Sequence, residues 1–167
     1  EYVRDTARLV HGYGMKNVLV TNGFANLSIL EELLPVIDAM NIDLKGFTDA
    51  YYLTLGAELE TVKQFIQRAA LDCHVELTTL IVPGENDTEE EMEREAQWIA
   101  SISPRIPLHV TRFFPRYCMR EKNATNIEVI KRMVGDIRFF ADAVRREGKK
   151  MADEAQGLRN EWKDAEY

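Results

Sequence analysis

The chain has 167 residues, 46% of them hydrophobic, enough for one core and no argument for two. A formal net charge of −7 argues against nucleic acid or an anionic membrane surface as the main partner. Two cysteines 45 positions apart, Cys73 and Cys118, make neither a CxxC pair nor a disulfide framework, no apolar stretch reaches the ~18 residues of a membrane span, and no charged-then-apolar leader opens the chain, so a reducing, cytoplasmic setting is expected.

The first residue is Glu, and "EYVRDTARLV" is already in helical rhythm, so the start reads as a cut within a longer chain. Val3, Ala7 and Val10 fall at helical spacing, with Gly12 and Gly14 placed to end that helix. "NVLVTNG", residues 17–23, is short, β-branched and closed by Asn-Gly, which predicts a buried strand running into a loop. Asn26 suits the cap of a helix with Leu27, Leu30, Leu33 and Leu34 on one face, ended by Pro35. A strand through Ile42 follows, then a helix facing inward through Leu59, Val62, Phe65, Ile66 and Ala69. "HVELTTLIVPG", residues 74–84, is the third strand, stopped by Pro83-Gly84.

The segment from Glu85 to Glu95 holds seven acids and one base, a net of −6, and reads as a solvated helix start favoured by the helix dipole. Asp87 and Glu90 have the spacing of a capping box, and Met92, Ala96 and Ile99 form the inward face. "IPLHVTRFF", residues 106–114, is the fourth strand. Helices and strands therefore alternate, which predicts right-handed βαβ units and a parallel sheet. From Asn126, apolar residues at Ile127, Ile130, Val134, Ile137, Ala141 and Val144 predict a long helix; beyond Gly148 a thin stripe of Met151, Ala155, Leu158 and Trp162 suits a polar terminal helix or tail.

Polar groups gather where the strands end: Thr21, Asn22 and Gly23 on the first, Asp43 and Lys45 on the second, Pro83-Gly84 on the third, with Thr78 and Thr79 inside it. In a parallel barrel these ends share one rim, where ligands bind. A carboxylate at the end of an apolar strand needs a partner, because an unpaired buried one costs several kcal/mol. A mutual surface pair of Asp43 with Lys45 is the plainer alternative. Alternation puts Asn41, Asp43 and Lys45 on one face, as it does Glu76, Thr78 and Leu80, and His109, Thr111 and Phe113. His109 faces either the barrel interior or the helices, and as a lone histidine reads most simply as a satisfied core residue; Arg112, opposite, reads as a carboxylate contact or the sheet edge; His11 and His74 as incidental. No His, Cys or carboxylate set has metal-ligand spacing, and no nucleophile motif or Gly-rich phosphate loop is present.

The motifs "VTNGF", "NIDLKGF", "TTLIVPGENDTEEEMEREAQWI" and "PLHVTRFFPRY", in this order across residues 1–119, resemble the radical S-adenosylmethionine enzymes. Within these, the pyruvate formate-lyase activating enzyme-like members are similar, most nearly the AmmeMemoRadiSam system branch. The resemblance implies an α/β fold, a partial (β/α) barrel of parallel strands, here with residues 1–119 as its carboxyl-terminal part and 120–167 as a helical extension. It implies a [4Fe-4S] cluster and S-adenosylmethionine as cofactors of the parent protein, with Thr21, Asn22, Gly23, Asp43, Lys45 and Thr78 at the S-adenosylmethionine site. Reductive cleavage would yield a 5'-deoxyadenosyl radical that takes hydrogen from a protein or small-molecule substrate, with an electron donor as a further partner. The chain lacks the CxxxCxxC cluster loop and the Gly-Gly-Glu-Pro segment of that family. Val20 stands where the activating enzymes have Asp, Thr78 where they have Arg, and Tyr117 where they have His. These 167 residues alone are therefore expected to be inactive. The other readings are a non-catalytic α/β interaction module and a barrel fragment that binds a different small molecule.

Overall fold

A computed structural model of the protein describes residues 1–135. Four parallel strands form one sheet: β1 (Val18–Thr21), β2 (Ala39–Asp43), β3 (His74–Ile81) and β4 (Leu108–Arg112). Their order across the sheet equals their order in the chain, so each crossover advances one strand, as in the wall of a (β/α) barrel. Helix α1 (Tyr2–Gly12) precedes β1, and α2 (Leu27–Leu33), α3 (Asp49–Thr54), α4 (Leu59–Asp72) and α5 (Glu89–Ile102) lie in the crossovers. Residues 127–135 are helical after β4. The remaining expected stripe positions, Ile137, Ala141 and Val144, and the tail from Gly148 onward lie outside the described residues.

The two sheet faces differ because the strands alternate. Met40, Ile42 and Leu44 from β2 and its extension, and Val75, Leu77 and Ile81 from β3, are buried against the helices. α4 meets them with Leu59, Val62, Phe65, Ile66 and Ala69, the five positions its periodicity marked. Each such Leu, Ile or Phe stabilises the fold by roughly 1.5–3 kcal/mol relative to exposure. The residues between them, Asn41, Asp43, Glu76 and Thr78, are half-buried on the opposite, open face. β1 contributes Val18 and Val20 to that face, 65% and 72% exposed. No helix among the described residues is long and apolar enough to cross a membrane.

Four sequence expectations change. The first strand, expected to be buried, has no buried residue: Val18 and Val20 are exposed and Leu19 and Thr21 half-buried, because β1 lies at the sheet edge with one face open. The helix after β3 is capped by Thr88, whose hydroxyl accepts from Glu91 N–H, rather than by Asp87; the Asp87 carboxylate accepts from Gly84 N–H instead. The acid-rich run is not simply solvated, because Glu91 and Glu95 are buried. α3 has no counterpart in the periodicity, since the six residues Asp49–Thr54 are too few to show a helical stripe.

Candidate functional site

The open face meets solvent through a connected set of polar side chains. Asp43 and Thr78 are register partners on β2 and β3, and Thr78 and His109 on β3 and β4. Lys45 Nζ lies 2.6 Å from Asp43 Oδ2, both side chains about a third exposed. Thr78 donates to Asn41 Oδ1 at 2.9 Å. Glu76 is shared by two imidazoles, with His109 Nε2 at 2.8 Å and His74 Nε2 at 3.2 Å, and these bonds hold its carboxyl below the usual range. His109 is therefore neither a core residue nor turned toward the helices, and His74 is not incidental. His11 also has a partner, Asp38 Oδ2 at 2.8 Å, at the other end of the sheet. Among the described residues Arg112 contacts no carboxylate: Nε donates to Thr125 O at 2.7 Å and the guanidinium lies over the Phe114 ring. Phe113, in step with His109 by count, is buried.

The first strand end behaves differently from the second. Thr21 pairs in register with fully buried Ile42, so it belongs to the helix-facing row, and its hydroxyl accepts from Gly23 N–H at 3.1 Å. Gly23 is buried with φ +66°. Asn22, exposed, accepts from Phe24 N–H at 3.1 Å. Thr21 and Gly23 thus make the turn, while Asn22, Asp43, Lys45 and Thr78 stand on the open side.

What holds "NIDLKGF" in place was not visible in the sequence. Past Asp43 the chain leaves the strand, and its peptide groups are taken up by side chains from four directions. Leu44 O accepts from the buried Thr79 hydroxyl at 2.8 Å. Lys45 N–H donates to the Tyr52 hydroxyl at 3.0 Å, and Lys45 O accepts from Asn86 Nδ2 at 2.7 Å. Phe47 N–H donates to Glu91 Oε1 at 2.6 Å. Asn86 also donates to Leu80 O and accepts from Val82 N–H, joining the ends of β2 and β3. Gly46 fits this clamp because a Cβ there would stand 2.9 Å from Tyr51 and 3.0 Å from Glu91 Oε1. Burial pushes the Tyr52 phenol far up, so it stays protonated. The rim that presents Asp43 and Lys45 is thus fixed from behind by β3, α3, the 82–86 loop and α5.

The two cysteines are far from this arrangement in the chain's path. Cys73 immediately precedes the amino end of β3 and is half-buried, and Cys118 lies beyond β4, exposed. Among the described residues no group of three or more His, Cys, Asp or Glu could hold a metal ion.

No protein-family model matches the chain. An uncharacterized protein of Methanocaldococcus jannaschii is 35% identical over 133 residues, covering 78% of this chain; the chain spans 39% of the length of that relative. A domain of the pyruvate-formate lyase-activating enzyme from Bacteroides vulgatus superposes with a TM-score of 0.68 at 17% identity, over 83% of this chain and 85% of that one. The structure of TYW1 with a lysine-pyruvate adduct bound gives a TM-score of 0.58 at 14% identity, over 81% of this chain and 44% of that one. These likenesses establish the fold as an α/β partial barrel of parallel strands.

Proposed function

We propose that the open face and carboxyl-end rim of this sheet form the S-adenosylmethionine-binding wall of a radical S-adenosylmethionine enzyme, activating enzyme-like and nearest the AmmeMemoRadiSam branch. The observation that carries this reading is the Asp43–Lys45 pair, half-exposed on the open side of the fold and locked from behind by Thr79, Tyr52, Asn86 and Glu91. The donor set suits a nucleoside bearing an amino acid. Asp43 accepts from ribose hydroxyls, Lys45 offers a cation to a carboxylate, and Asn22 and Thr78 supply neutral polar groups at the same level. The chemistry that S-adenosylmethionine would supply when bound is a 5'-deoxyadenosyl radical for hydrogen abstraction, formed by one-electron reduction with cleavage of the sulfonium C5'–S bond and release of methionine.

The cluster does not fit these residues. A [4Fe-4S] centre needs thiolates that converge, and two cysteines separated by a strand, a helix and a further strand do not. The reading therefore assigns the cluster to sequence outside these residues, in keeping with the 39% share of the relative. The chain's own part is to bind and orient; the hydrogen donor, a protein or a small molecule, and the electron donor belong to the parent protein's activity.

The test is a titration of the ¹⁵N-labelled chain with S-adenosylmethionine. Amide shifts at Asn22, Asp43, Lys45 and Thr78, weakened in Asp43→Ala, are the expected result. Shifts elsewhere, or equal binding by Asp43→Ala, would overturn the assignment.

A further inference from the structure

Glu95, on the buried side of α5, has no place in the binding reading. It is 1% exposed, Thr79 beside it is fully buried, and no Lys, Arg or His among the described residues pairs with it. Thr79 Oγ1 stands 2.8 Å from Leu44 O and 2.5 Å from Glu95 Oε1. A threonine hydroxyl has one proton to give, and both neighbours are acceptors if Glu95 is ionised. One of the two contacts would then be an oxygen facing an oxygen in a site closed to bulk solvent. Both become hydrogen bonds only if Glu95 carries the proton and donates to Thr79, which in turn donates to Leu44 O.

We propose that Glu95 is a positioning residue for the rim, a neutral acid whose proton completes the relay Glu95 to Thr79 to Leu44 O. On ionisation the carboxyl releases its proton to solvent and Thr79 turns its hydroxyl toward the carboxylate. Leu44 O loses its donor, and the segment carrying Asp43 and Lys45 loosens.

The surroundings agree. Burial pushes the Glu95 carboxyl up to about 8, the Thr79 bond opposing and the nearby Glu91 charge adding. From its own helix Glu95 has buried Glu91 one turn earlier, half-buried Glu93 and exposed Arg94. α3 presents the Tyr52 phenol, β3 the neutral Thr79, and the extension of β2 carries Lys45, whose ammonium is with Asp43 on the other face. The helical residues 127–135 bring Arg132 to exposed Glu89, not to Glu95.

That the loosened rim is a cofactor wall rests on the reading above; the protonation of Glu95 does not. The experiment follows the side-chain ¹³C carboxyl signals and the ¹⁵N amides of residues 44–47 through a pH titration of the full chain. Expected is one carboxyl with a midpoint near 8, accompanied by rim amide shifts with the same midpoint, both absent in Glu95→Gln. Gln keeps the donor to Thr79, so this variant folds with the rim in its low-pH form at every pH. A Glu95 carboxyl titrating near 4.5, or rim shifts that persist unchanged in Glu95→Gln, would overturn the proposal. Neither measurement needs a ligand, so both decide the proposal whatever becomes of the S-adenosylmethionine assignment.

Discussion

At Gly23 the chain turns off β1 with φ +66°, and a Cβ there would stand 2.9 Å from Ile42 Cγ2 and 3.3 Å from Val62 Cγ1. Both neighbours are fully buried, so neither has space to retreat. Left-handed backbone and overpacking add, and Gly23→Ala is expected to lower stability by about 2–4 kcal/mol. Urea unfolding measures this; a loss under about 0.5 kcal/mol, the size of a neutral surface change, would mean that the turn is not held as described. The Asn-Gly pair announced a turn, but not that Ile42 closes over it. Asp43, Lys45 and Thr78 were legible from alternation because a two-residue period fixes a shared face. Glu91 and Glu95 were not, since acids in the first turns of a helix look alike whether they face water or the loop packed against them. Only the position of the Lys45–Phe47 segment distinguishes them.

Among elements, the rim clamp has its weakest substitute at Asn86, which serves Lys45 O, Leu80 O and Val82 N–H at once. Asn86→Ala leaves these groups to water or unpaired, an expected loss of about 2–4 kcal/mol, since one unsatisfied buried group costs about 1–3. Loss of the Asn22 and Asp43 amide positions in the NMR spectrum would accompany it; a spectrum unchanged outside residue 86 would refute the clamp. Two carboxyls at opposite ends of the sheet then set a pH optimum. Asp38 is held well below the usual carboxylate range by Lys16, the Asn17 N–H and His11, so its contribution is present above pH 3.8 and fades as pH falls. Glu95 is raised, so folding binds its proton more tightly than the unfolded chain does, and stability declines as pH rises from 4.5 to about 8. Thermal melts are expected to show a maximum in mild acid, with the alkaline decline flattened in Glu95→Gln. The long amphipathic α4 was readable position by position because fourteen residues sample the helical period nearly four times. α3, at six residues, samples it less than twice, and its existence follows from the Thr48 cap and the burial of Tyr52 rather than from any pattern.

For the molecule as a whole, the parallel sheet leaves β1 as an edge. Among the described residues β1 pairs with β2 alone, and its other side presents unpaired N–H and C=O groups. Val18 and Val20 stand beside that edge, 65% and 72% exposed, with no proline, bulge or inward charge on the strand to block pairing. The net charge of −7 opposes association, but surface repulsion is screened beyond about 8 Å at physiological salt, whereas edge pairing acts at contact. The chain is therefore expected to self-associate through β1 as concentration and salt rise. Sedimentation velocity across a concentration series measures it. Val20→Lys places a charge on the exposed row and should restore the monomer while leaving the melting temperature unchanged, because Val20 contributes little burial in the monomer. A wild-type chain that stays monomeric at high salt and concentration would mean that the edge is already protected, and the open face with it.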